Sequence, residues 1–218
     1  MVRVKICCIR SQQDADLAKR YGADAIGFVS WMPSGGGQIS DREIHQLAAA
    51  NPEIDRFLLT CRTDPDEIRR QVLEAGTDTV QLVDNVEPRS LERLRVAIPD
   101  VSLVQVVHVT GPEAVARARE VEPYVDSILL DSGSPDGPAR TFGGTGNAHD
   151  WRISAQIVEQ VDRPVFLAGG LGPDNVAEAI AAARPDGVDV CSRLRRNGHL
   201  DESLLARFFE AVAGAQPV

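Results

Sequence analysis

Between residues 2 and 213 a short apolar run rich in β-branched residues recurs eight times, separated by amphipathic stretches or loops, with helix start and stop signals marking the alternation. The runs are residues 2–7, 25–29, 56–59, 79–82, 102–107, 127–130, 165–168 and 187–190. Ser11 opens the first helix, and Gly22 is expected to close it as its C-cap. Ser40 can cap a second helix that ends near Asn51-Pro52, and Asp64-Pro65 supplies a cap and a first-turn proline together for a third, closed by Gly76. Further helices are expected over 88–97, 112–121, from the Gly172-Pro173 turn to about residue 183, and over 202–213. The runs do not alternate apolar with polar, so both faces of each strand should be buried, as in a parallel sheet covered by helices. Eight such units point to an α/β fold of the closed (β/α)8 TIM-barrel type, with residues 1–218 as a single domain. A doubly wound open sheet is the main competitor. It would have fewer strands and shorter or more polar edges, and no run stands out in that way.

Composition narrows the class of function. With 43% apolar residues the chain can build a core, and a net charge of -9 argues against nucleic-acid or anionic-membrane surfaces, which need an excess of Lys and Arg. No run approaches the roughly 18 apolar residues of a membrane helix, and Met1-Val-Arg-Val-Lys-Ile-Cys has no signal-peptide core, so a cytoplasmic protein is expected. The 4 Cys are far from a disulfide framework, and reduced thiols are the expectation. Cys7, Cys61 and Cys191 all fall at strand exits, as does His108, but the third and fifth strands do not neighbour the first and eighth. No metal site is therefore expected.

In such a barrel the functional residues lie just after each strand, at the carboxyl-terminal face. Cys7, at the end of the first strand, puts a thiol at the mouth, where a lowered pKa would make it a base or nucleophile; a small apolar filler is the plain alternative. Asp131 ends the sixth strand as an acid closing an apolar run, or as a loop cap. The Gly- and Pro-rich segment 133–150, containing Gly143-Gly144-Thr145-Gly146, is longer than a common βα loop and reads as a lid or binding loop. Ala168-Gly169-Gly170-Leu171, before a helix start, offers unhindered N–H groups where many barrels hold a phosphate.

These motifs stand in register with one family. Lys5-Ile6-Cys7, Gly22-Ala23-Asp24-Ala25-Ile26-Gly27-Phe28-Val29, Val80-Gln81-Leu82, Leu129-Leu130-Asp131, Gly143-Gly144-Thr145-Gly146 with Asp150-Trp151, Leu167-Ala168-Gly169-Gly170-Leu171 with Pro173-Asp174-Asn175-Val176, and Val188-Asp189-Val190 resemble, in order and spacing, those of the phosphoribosylanthranilate isomerase family. The resemblance implies a cofactor-free TIM barrel of tryptophan biosynthesis. Its reaction is an Amadori rearrangement of an aminoaldose phosphate to an aminoketose phosphate, and members occur as monomers or homodimers. It implies Cys7 as base and Asp131 as acid, with Gly144, Gly146, Gly169, Gly170, Ser192 and Arg193 on the side that binds the phosphorylated substrate. To ionise, Cys7 needs a positive charge or helix dipole close by.

The departures identify a divergent member. The resemblance implies a Ser-Pro-Arg or Ser-Lys-Arg element after the second strand, whose Arg holds the anthranilate carboxylate. Here that loop is Trp31-Met32-Pro33-Ser34-Gly35-Gly36-Gly37-Gln38. Val83-Asp84 stands in place of His-Gly after Gln81-Leu82, Cys8 in place of the Gly after the catalytic Cys, and Cys191-Ser192-Arg193-Leu194-Arg195 in place of Ser-Ser-Gly-Val-Glu. Arg193, Arg195, Arg196 and His199 form a basic cluster that either grips an anion or lies on a solvated rim. Three functions follow: the isomerase itself, a paralogue moving protons on another phosphorylated sugar or keto compound, or a catalytically silent binding barrel.

Overall fold

A computed structural model describes residues 1–133 and 149–215. Eight parallel strands close into a barrel in sequence order: β1 (Arg3–Ile6), β2 (Ala25–Val29), β3 (Asp55–Thr60), β4 (Thr79–Leu82), β5 (Ser102–His108), β6 (Ser127–Asp131), β7 (Val165–Leu167) and β8 (Gly187–Val190). The last strand returns to the first in register, with Val4 beside Val188 and Ile6 beside Val190. No edge is left open, which is why none of the eight runs carries the short or charged signature of an edge strand.

Helices α1 (Gln12–Arg20), α2 (Asp41–Ala50), α3 (Pro65–Ala75), α4 (Pro88–Ala97), α5 (Glu113–Val121), α6 (Trp151–Gln160), α7 (Val176–Ala183) and α8 (Glu202–Gly214) form the outer layer. The caps act through their side chains. Ser11 accepts from the Asp14 N–H, Ser40 and Glu43 close a reciprocal capping box, and Asp64 accepts from two first-turn N–H groups beside Pro65. Gly76 ends α3 in the left-handed conformation, as expected. At α1 the cap is Tyr21, and Gly22, with φ +94°, is the residue beyond it, where the chain turns sharply toward β2. Asn197-Gly198, both at positive φ, makes a tight hairpin between β9 (Arg195–Arg196) and β10 (His199–Leu200). Asn-Gly is the strongest short-range hairpin signal, and here it joins two strands of two residues each.

Apolar burial divides into two shells. The larger fills the space between strands and helices, where Phe28, Ile44, Leu91 and Phe208 are fully buried; each contributes roughly 1.5–3 kcal/mol. The smaller fills the barrel interior with Ala25, Phe57, Val104, Leu129 and Phe166, and Phe57 meets Phe166 edge-on at 6.4 Å between ring centroids. Into this shell project Lys5, Gln81 and Asp189, all buried. Among the described residues no helix is long and apolar enough to cross a membrane.

Candidate active site

At the carboxyl-terminal end of the barrel a cavity of about 380 Å³ is walled by the exits of β1, β2, β3, β4, β6, β7 and β8. Its lining includes Cys7, Gln81, Asp131, Gly169, Gly170, Asp189 and Ser192. Cys7 is held at the exit of β1 by its N–H, which donates to the Val190 carbonyl at 2.9 Å. Directly below, the fully buried Lys5 ammonium lies 2.9 Å from the Asp189 carboxylate. The two residues are paired across β1 and β8 by register, so a cation and an anion are forced together inside the barrel. Gly27 on β2 leaves them room, since a Cβ there would stand 3.1 Å from Lys5 Nζ and 3.2 Å from Cys7 Sγ.

This cluster sets the thiol's protonation. Burial pushes the Cys7 thiol up to about 11, outweighing the pull of Lys5, and Asp189 adds to the push. Burial alone would pull Lys5 down, but Asp189 and Cys7 together hold it above the ordinary lysine value. Burial raises Asp189, against the opposing charge of Lys5. The positive charge that Cys7 needs is therefore present, but burial outweighs it and its own counter-ion opposes it further.

Asp131, which also lines the cavity, ends β6, half-buried, with one carboxylate oxygen accepting from the Ser132 N–H at 2.7 Å. Gly169, at φ +81°, packs against it so closely that a Cβ would lie 3.2 Å from that oxygen. Only glycine suits both the dihedral and the space. Past Gly170, the Asn175 side chain accepts from Gly172 N–H and donates to the Gly170 carbonyl, fixing the loop that leads into α7. Gly169, Gly170 and Ser192 line the cavity; Arg193 does not. Its guanidinium grips Asp174 at 2.7 Å and donates to the Gly170 carbonyl at 3.0 Å, bracing the loop from outside. Gly144 and Gly146 lie outside the described residues.

The thiols depart from expectation. Cys8 and Cys191 form a disulfide with Cα atoms 6.0 Å apart, so the reduced state expected for all four holds only for Cys7 and Cys61. The pairing was invisible in sequence because the partners are 183 residues apart, and only closure of β1 on β8 brings them together. Cys8 adopts φ +61°, a left-handed conformation that ordinarily selects glycine, and its sulfur sits 4.0 Å from that of Cys7. The basic cluster also splits. The Arg196 side chain is 66% exposed and pairs with Asp201, whereas that of Arg195 is 9% exposed and lines the cavity. Lys5 and Asp189 were passed over as site residues. Charged residues inside two runs otherwise apolar enough for buried strands were the available signal.

Comparison with known proteins agrees with this fold and gives the family. The sequence model of the N-(5'phosphoribosyl)anthranilate (PRA) isomerase family matches residues 4–211. N-(5'-phosphoribosyl)anthranilate isomerase 2 of Methanosarcina mazei is 38% identical over 210 residues, covering 95% of this chain and 92% of that relative. The crystal structure of phosphoribosyl anthranilate isomerase from Thermus thermophilus superposes with a TM-score of 0.83 at 27% identity, covering 99% of this chain and all of that one. A second isomerase structure, in complex with reduced 1-(o-carboxyphenylamino)-1-deoxyribulose 5-phosphate, has a TM-score of 0.81 at 26% identity over 98% of this chain and 100% of that one. With the match spanning nearly the whole barrel, this chain belongs to the N-(5'-phosphoribosyl)anthranilate isomerase family.

Proposed function

We propose that this enzyme converts phosphoribosylanthranilate to its aminoketose phosphate, with Asp131 as general acid and Cys7 as general base. The observation that carries the assignment is that Cys7 and Asp131 line one cavity, at the exits of β1 and β6. Protonation of the ribose ring oxygen by Asp131 opens the ring to an iminium. The Cys7 thiolate then removes the proton from C2 to give the enolamine. The enolamine ketonises by gaining a proton at C1 and losing one from its hydroxyl oxygen. Cys7 is left protonated and Asp131 ionised, and exchange with water resets both. The substrate phosphate fits the Gly169-Gly170 loop, where glycine exposes backbone N–H groups before α7.

A second reading, in which the same two groups move protons on another phosphorylated sugar or keto compound, is favoured by one feature: residues 30–40, after β2, contain no Lys or Arg. An isomerase assay with phosphoribosylanthranilate separates the two. The unmodified protein is expected to turn the substrate over, and Cys7→Ala and Asp131→Asn are each expected to lose roughly 10²–10⁴-fold in kcat. Activity that survives both substitutions would sink the acid–base assignment. A phosphorylated ligand that binds without turnover would favour the second reading.

A further inference from the structure

The substrate of the proposed reaction is anionic at both ends, with a phosphate on the ribose and a carboxylate on the aryl ring. The Gly169-Gly170 loop accounts for the first. The loop after β2, residues 30–40, carries no Lys or Arg for the second. Gly37, at φ +82°, has no room for a side chain, since a Cβ there would stand 2.7 Å from the Cβ of Cys8. Gln38 is occupied, its amide donating to the Met32 carbonyl at 2.8 Å. Cys8 at the β1 exit thus occupies the space that a side chain at 37 would need.

The cations of the cavity stand elsewhere. Arg10 and Arg195 are the cationic side chains among its lining residues, from the β1 exit and the segment after β8. The side chain of Arg195 is nine-tenths buried and fixed in place. One of its terminal nitrogens donates to the Cys7 carbonyl at 2.8 Å, and the other lies 3.4 Å from Asp14. Its Nε has no partner among the described residues. A guanidinium carries five N–H donors, so this one retains capacity for an incoming acceptor while its geometry is already set. Arg10 donates to the Gly198 carbonyl, in the hairpin turn that carries Arg195. Asp14 offsets one of the two positive charges and the other stays uncompensated in this group.

We propose that Arg195, assisted by Arg10, is the carboxylate clamp of this enzyme, placed on the β1–β8 side of the cavity instead of the β2 loop. The clamp rests on the isomerase reading above and adds a specificity determinant to it. Because Arg195 is bonded to the backbone of Cys7, a carboxylate held there brings the aryl amine to the side of the barrel where the base stands. The guanidinium is immobilised before binding, so little side-chain entropy is lost when the substrate docks.

The test uses two probes: reduced 1-(o-carboxyphenylamino)-1-deoxyribulose 5-phosphate, and the same compound without its carboxyl group. Dissociation constants are measured by calorimetry for the unmodified protein and for Arg195→Lys and Arg10→Met. Arg195→Lys keeps a charge for Asp14 but loses the fork, and Arg10→Met alters an exposed residue, so both variants should fold. Charge-assisted hydrogen bonds predict that the carboxyl group improves binding to the unmodified protein about 10–100-fold. That ratio is expected to fall at least about fivefold in each variant. A ratio unchanged in both variants, or a ratio near one in the unmodified protein, overturns the clamp. Turnover of phosphoribosylanthranilate is followed in parallel. Turnover with an unchanged ratio overturns the clamp alone, while no turnover overturns the isomerase reading and leaves the ratio to decide the clamp.

Discussion

Replacing Asp189 with Asn should make Cys7 more acidic. The substitution is nearly isosteric and removes the anion that now neutralises Lys5 at 2.9 Å. With the Cys7 thiol near 11, about one molecule in 10⁴ carries the thiolate at pH 7, since each pH unit below the midpoint costs tenfold. An uncompensated cation within hydrogen-bonding reach lowers such a group by about 1–3 units, so the thiolate fraction at pH 7 rises roughly 10–1000-fold. Intrinsic nucleophilicity falls as the pKa falls, with a slope near 0.5, so the alkylation rate at fixed pH should rise by only about 3–30-fold. The assay is iodoacetamide labelling of the Cys7 peptide, quantified by mass spectrometry from pH 6 to 10 with the disulfide intact. Lys5→Met should move the profile the other way, to higher pH, because the stronger of the two cations acting on the thiol is lost, Arg195 being the weaker, and the anion stays. A Cys7 profile that is unmoved or moves upward in Asp189→Asn would show that Lys5 does not act on the thiol through this pair, and the account of the site's electrostatics would fail.

Two further outcomes test the scaffold. Gly187→Ala would drive a methyl group into the Phe166 ring between β7 and β8, and overpacking of this kind should cost about 1–3 kcal/mol, read as a lower denaturant midpoint with an unchanged slope. Reduction of Cys8–Cys191 reopens a loop of 183 residues. It should cost up to about 5 kcal/mol by loop entropy, measured by urea unfolding with and without reductant; equal midpoints would mean that barrel closure alone sets the chain's order there.

The strands were legible because a parallel strand buried on both faces must be a continuous apolar run. The runs over β2, β4 and β8 coincide with the strands residue for residue, and the remaining bounds differ by one residue at either end. The helix starts were legible for a different reason, since a cap is a local side-chain-to-backbone bond that Ser11, Ser40 and Asp64 form with residues two or three positions on. Cys7 and Asp131 were placed at the mouth by the same logic, because the ends of apolar runs mark strand exits. What was missed at short range was the Asn197-Gly198 hairpin, which carries its own signal and pairs Arg195 with Leu200.

The sequence by itself determined the periodic order of strands and helices, the face on which chemistry must lie and the family to which the chain belongs. These depend on interactions a few residues long or on motifs read in line. Tertiary structure alone decided the partnerships between the first strand and the last: Lys5 with Asp189, Cys8 with Cys191, and the Cys7 carbonyl with Arg195. Each joins residues more than 180 positions apart, and no periodicity carries information over that distance. Closing the barrel supplies the contact, and in doing so it sets both the protonation of the proposed base and the place of the proposed carboxylate clamp.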